Sequence, residues 1–203
     1  MGENVVGQVA AIWDGQAAHF DDEPDHGLRD DAVRRAWIDH LRSWLPEPPA
    51  DLVDLGCGTG SLSVLLAEQG HRVVGVDASP QMIQQARRKA AAAGVTVTFH
   101  VADATAPPVE PTSMDVVLVR HLVWTLPDPH SAMRRPWPPL CGRGWLSSWC
   151  MTSPRREGCG AGPSPMSGSP WSLEPGRSRR SSIAVIVRAH RALVSRITVT
   201  SIE

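Results

Sequence analysis

The chain has 203 residues, room for one domain of ordinary size with a real apolar core. Its formal net charge of −1 hides a split: residues 1–128 carry 9 Lys+Arg against 18 Asp+Glu, whereas residues 129–203 carry 11 Arg against 3 Glu. No stretch reaches the roughly 18 apolar residues of a membrane span, "MGENVVGQVAAIWD" lacks the basic start of a secretory signal, and Cys57, Cys141, Cys150 and Cys159 lack metal or disulfide spacing, so a cytoplasmic protein without a metal site is the expectation.

In chain order, "DDAVRRAWIDHLRSWL" predicts an amphipathic helix, with Val33, Trp37, Leu41, Trp44 and Leu45 on one face and Asp30 and Asp31 at its positive end. "PEPP" stops it. "DLVDL" is a short strand and "SLSVLLAEQG" a helix with Gly70 past its end. "HRVVGVD" is a buried strand, followed by a helix in "SPQMIQQARRKAAAAG" with Ser79 as N-cap, Pro80 in the first turn and Gly94 as terminator. "VTVTFHVAD" and "MDVVLVRHLV" are two further strands around a proline-broken loop, and "PDPHSAMRR" begins another helix.

Strands alternating with helices at this spacing imply βαβ units and a doubly wound parallel sheet. Right-handed crossovers then collect the C-terminal strand ends on one edge, where ligands bind. Gly56–Gly60, Asp77, Asp103 and Arg120–His121 fall on that edge. In "VDLGCGTG", Gly56, Gly58 and Gly60 leave the main chain bare between a strand and a helix N-terminus. A tight turn alone would explain such a loop. Its G-x-G-x-G spacing differs from the G-x-G-x-x-G of nicotinamide and flavin domains. Asp54, Asp77 and Asp103 at successive strand ends suit a cationic group, a ribose diol and an adenine amino group.

These motifs, with "VVGVDASPQMIQQA", "FHVADA" and "MDVVLVRHLVWTLPDP" in that order, resemble the class I S-adenosylmethionine-dependent methyltransferases over about residues 10–135. The chain looks closest to the small-molecule, ubiquinone-biosynthesis-like type. The resemblance implies S-adenosyl-L-methionine as cofactor and a small-molecule acceptor. It places Gly56, Gly58 and Gly60 under the methionine and ribose, Asp54 at the methionine amino end and Asp77 at the ribose hydroxyls. Met82 packs on adenine, Asp103 and the backbone of Ala104 read its edge, and the Arg120 carbonyl meets the ligand's ammonium. "IWDGQAAHFDDEPDHG" resembles a helical lid, with Trp13, Phe20 and His26 closing the pocket. His121 is the candidate general base; the competing reading is a loop histidine packed near Trp124.

After residue 135 the resemblance calls for the rest of a helix, an "L-x-P-G-G" turn and a fifth strand. The chain offers "PWPPLCGRGWLSSWC" instead, and residues 129–203 contain no Asp, Asn, Lys, Gln, Phe or Tyr. That is the composition of a GC-rich gene read out of frame. Codons for "PPLCGRGWLSSW", read from their third bases, permit "A-L-V-R-P-G-V-A-V-L-V", the expected turn and strand. The sequence thus divides into a lid and helical segment (1–48), a cofactor-binding α/β core (49–135) and an atypical, irregular tail (136–203). The Rossmann-like sheet is expected to be incomplete in its C-terminal half, with strand four lacking a neighbour, although "SSIAVIVRAHRALVSRITVTSIE" holds strand-like runs. The alternatives are a non-catalytic remnant that still binds S-adenosylmethionine and an arginine-rich nucleic-acid-binding tail, the latter disfavoured for want of aromatic interleaving.

Overall fold

The computed structural model describes residues 2–23, 26–43, 45–122, 125–126, 140, 182–188 and 197–202. Helix α1 spans Gly2–Gln16, a 3-10 turn Phe20–Asp22 and α2 Asp31–Arg42. Then come β1 (Asp51–Leu55), α3 (Ser61–Glu68), β2 (Arg72–Asp77), α4 (Pro80–Ala93), β3 (Thr98–Val101) and β4 (Val116–Arg120). Two later strands, β5 (Ser182–Arg188) and β6 (Ile197–Ile202), complete a sheet of order β3-β2-β1-β4-β5-β6.

The helix ends follow local chemistry. Asp30 caps α2, its carboxylate accepting from the amides of Ala32 and Val33 at 2.8 and 2.9 Å. The Ser79 hydroxyl accepts from the Met82 amide at the start of α4, and Gly94 ends that helix in the left-handed region. Trp37 and Leu41 are buried as the amphipathic pattern of α2 requires.

Strands β3, β2, β1 and β4 are parallel, so their C-terminal ends share one edge as expected. Alternation along them makes two apolar faces. Leu52, Val116 and Leu118 pack with Trp37 and Leu41 of α2 and with the leucines of α3. Val53, Leu55, Val117 and Val119 pack on the other face with Ala104 and Leu140.

Past β4 the structure corrects the sequence reading. Strand four does not lack a neighbour: β5 pairs with it antiparallel, Leu118 opposite Ile186, and β6 pairs with β5. The tail is therefore not irregular at these two segments. Their Ile, Val and Thr residues suit an extended backbone, and β4 offered an open ladder to pair with. Leu140 is likewise buried, and its carbonyl accepts from the Met114 amide at 3.1 Å, so the packed unit reaches beyond residue 136. The helix expected from "PDPHSAMRR" and the turn region of residues 141–181 lie outside the described residues.

Candidate functional site

The glycine loop is tied to β2 from below. The amides of Gly56 and Cys57 both donate to the Val76 carbonyl, at 2.8 and 3.1 Å. Gly56, Gly58 and Gly60 all have φ between +54° and +75°. At Gly60 the requirement is steric as well, since a Cβ there would come within 2.8 Å of the Ala86 side chain on α4. The loop can therefore turn tightly into the N-terminus of α3.

Asp77 joins the loop to the next helix. One carboxylate oxygen accepts from the Gly58 amide at 2.9 Å, the other from the Ser79 amide at 2.8 Å. Burial pushes its carboxyl above the usual range, and those two amides oppose the shift. Each oxygen keeps a lone pair for a further donor.

Asp54 lies deeper, 2 % exposed, and accepts from the Ser63 hydroxyl of α3 at 2.6 Å. Burial pushes its carboxyl up to about 6; the Ser63 hydroxyl and the Arg120 charge pull it down, and Asp77 pushes it further up. Two carboxylates thus lie beneath the glycine loop, each raised by burial. A cation arriving above them would relieve both.

Arg120 ends β4 on the expected edge, but its side chain runs to the α2 face. The guanidinium sits over the Trp37 ring, 4.7 Å from its centroid. Met82 is 1 % exposed in the first turn of α4, and Ala104 is 6 % exposed after β3. Asp103 caps its own turn, accepting from the amide and hydroxyl of Thr105 at 2.8 and 2.7 Å. Among the described residues, no group of three or more His, Cys, Asp or Glu could hold a metal ion, and no helix is long and apolar enough to cross a membrane.

The segment expected to form a lid lies against the glycine loop and the start of α4. Trp13 and Phe20 meet edge to face at 6.0 Å, Phe20 stacks on His26 at 4.2 Å, and His26 meets His121 edge to face at 5.1 Å. Phe20 also approaches the loop: a Cβ on Gly58 would come within 3.3 Å of its ring. The four predicted lid and base residues therefore form one row. Trp124, the other neighbour proposed for His121, lies outside the described residues.

Two carboxylates fasten the lid, and the sequence reading missed both. Asp14 of α1 accepts from the Ser79 hydroxyl and the Gln81 amide at the start of α4. Asp21 accepts from the Thr59 hydroxyl in the glycine loop and pairs with Lys89 of α4 at 2.7 Å. The Lys89 ammonium also donates to Thr59 and Ser61, while burial lowers its pKa and Asp21 opposes that shift. The only sequence signal was an acid beside each lid aromatic, "WD" and "FD".

Residues 52–136 match the family described as "Methyltransferase domain". A 23S rRNA (uracil(1939)-C(5))-methyltransferase of Shewanella sp. (strain MR-7) is 40% identical over 76 residues, covering 36% of this chain and 17% of that protein. The demethylmenaquinone methyltransferase of Thermus thermophilus is 43% identical over 77 residues, 37% of this chain and 35% of that one. The ubiquinone biosynthesis O-methyltransferase of Xylella fastidiosa is 31% identical over 120 residues, 58% of this chain and 45% of that one. The chain thus spans less than half the length of each of these relatives. With the parallel sheet and its glycine loop, these matches make residues 52–136 similar to the methyltransferase domains of these relatives.

Proposed function

We propose that the chain binds S-adenosyl-L-methionine along this edge and transfers its methyl group to a small-molecule acceptor. The observation that carries the reading is the pair of carboxylates raised by burial, Asp54 buried and Asp77 half-buried, beside the glycine loop. Such a floor suits a ligand that is cationic at one end and carries a diol. In this reading Asp77 takes the ribose hydroxyls with its remaining lone pairs, and Asp54 acts on the ammonium end. Gly56, Gly58 and Gly60 let the ligand lie on the main chain. Met82, Asp103 and Ala104 meet the adenine, and the Arg120 carbonyl faces the ammonium.

The cofactor supplies an activated methyl group on a sulfonium, so the protein's task is alignment and exclusion of water. The lid does both, held by Asp14 and Asp21 to the loops that carry the site. His121 takes the acceptor's proton. The names of the Thermus and Xylella relatives support a small, ring-based acceptor, and the Shewanella relative keeps RNA as an outcome to be tested. A cytoplasmic location belongs to the same proposal.

A second reading, cofactor binding without turnover, is favoured by one observation: the family match stops at residue 136, where the composition changes. Calorimetry with S-adenosylhomocysteine decides the binding. Asp77→Ala should weaken it at least about tenfold, the loss of about 1.4 kcal/mol expected for hydrogen bonds to a charged group. Equal affinity removes Asp77 from the site. Binding with no methyl transfer to quinol, phenol or RNA acceptors selects the second reading.

A further inference from the structure

Asp14 and Asp77 hold the same residue through different atoms. Asp77 accepts from the Ser79 amide at 2.8 Å, and Asp14 of α1 accepts from the Ser79 hydroxyl. That hydroxyl oxygen in turn accepts from the Met82 amide at 3.1 Å. Ser79 is fully buried and Met82 is 1 % exposed. One residue therefore links a carboxylate of α1 to two seats of the proposed cofactor, Asp77 for the ribose and Met82 for the adenine.

The donors between the two carboxylates belong to the start of α4. Asp14 takes the Gln81 amide as well, at 3.0 Å, on the same Oδ1 that takes the Ser79 hydroxyl. Burial is the larger cause that pushes the Asp77 carboxyl up, and the Asp14 charge adds to it, so the two acids face one another. The positive end of α4 answers that repulsion. The helix itself does not require Asp14, because Ser79 already caps it through the Met82 amide. What Asp14 adds is direction. A hydroxyl has one hydrogen, and with that hydrogen committed to Asp14 a lone pair is left facing Met82. Without the acceptor, a buried hydroxyl keeps an unanswered donor, a cost it sheds only by turning or by shifting its backbone.

We infer that Asp14 is a positioning residue for cofactor binding: through Ser79 it holds the Asp77 carboxylate and the first turn of α4 where the ribose diol and the adenine dock. The identity of the ligand rests on the methyl-transfer reading. Coupling of this kind is reciprocal, so a ligand whose diol engages Asp77 also tightens the hold of α4 on α1.

Two substitutions separate geometry from charge. Asp14→Asn keeps an Oδ1 acceptor for both donors and removes the charge, whereas Asp14→Ala removes both. In calorimetry on the full chain, Asp14→Ala should bind S-adenosylhomocysteine about fivefold more weakly, the scale of one lost hydrogen bond, and Asp14→Asn within about twofold of wild type. In an Asp77→Ala background the further loss from Asp14→Ala should be no more than about twofold, since its route to the ligand is gone. Wild-type affinity in Asp14→Ala, an equal loss in both backgrounds, or a loss in Asp14→Asn as large as in Asp14→Ala overturns the inference and leaves the cofactor reading standing. Absence of S-adenosylhomocysteine binding by the wild type overturns the cofactor reading instead. Amide exchange in the ligand-free chain then still decides the positioning role. The Gly58 and Ser79 amides both donate to Asp77, and both should exchange faster in Asp14→Ala and at the wild-type rate in Asp14→Asn. Faster exchange confined to α1 would reduce Asp14 to a fastening of that helix and overturn the inference.

Discussion

Asp21 in the lid and Lys89 on α4 meet at 2.7 Å over the glycine loop, with side chains only 16 % and 25 % exposed. The pair encloses the Thr59 hydroxyl, which donates to Asp21 and accepts from Lys89. The turn at Phe20–Asp22 is thus fastened to the glycine loop and not merely laid upon it. Lys89→Met keeps the aliphatic stem and removes the charge. The expected result is faster amide exchange across α1 and weaker S-adenosylhomocysteine binding, by about fivefold for a loss near 1 kcal/mol. Unchanged exchange across α1 would show that the lid is held without this pair.

Asp54 gives a pH-dependent prediction whose sign can be worked out. Burial raises its carboxyl from 3.8 to about 6. The folded state therefore binds this proton more tightly than the unfolded chain, and the stability so gained is present below pH 3.8 and lost as the pH rises through about 6. Asp54→Asn should accordingly stabilise the ligand-free protein above pH 7, by on the order of 1–3 kcal/mol, with little difference at pH 4. Cofactor binding moves the other way. A cation near Asp54 favours the carboxylate, so wild-type affinity should fall as the pH drops below about 6. Asp54→Asn should bind more weakly and lose that dependence. Denaturant melts and calorimetry at four pH values would show it, and parallel affinity curves for the two proteins would place Asp54 outside the site.

The legible parts of this protein are those whose partners lie close in sequence or are repeated along it. The Ser79 cap, the Gly94 stop and the glycine loop are local, and alternation in "DLVDL" and "VVLVR" makes two sheet faces from one rule. The lid clasps were not legible, because Asp21 finds Thr59 across 38 residues and Asp14 finds Ser79 across 65. Arg120 could be placed on the ligand edge by counting, but only the fold brings Trp37 beneath its guanidinium. The run "SIAVIVR" was readable as strand-like; its pairing with β4 was not, since an open ladder accepts any extended segment that reaches it.

The last prediction concerns that open ladder and the composition change beside it. The family match stops at residue 136, and from residue 129 onward Asp, Lys and Gln vanish while arginine accumulates. A shifted reading frame entering near residues 132–136 would account for both, because the alternative frame permits the turn and apolar strand that the resemblance calls for after β4. A native fifth strand would cover β4 with side chains selected for the site. Each well-packed apolar side chain so placed contributes about 1.5–3 kcal/mol, a large share of a total near 5–15 kcal/mol. A gene carrying the alternative frame from codon 136 should therefore give more soluble protein. A gain of only about 2 kcal/mol would raise its thermal transition by about 4–8 °C. S-adenosylhomocysteine affinity should rise with it, since the end of β4 carries Arg120 and His121. If the chain with residues 136–203 as they stand melts as high and binds as tightly as the frame-restored chain, the frame account fails, and the pairing of Val116–Arg120 with Ser182–Arg188 is this protein's own solution to completing its sheet.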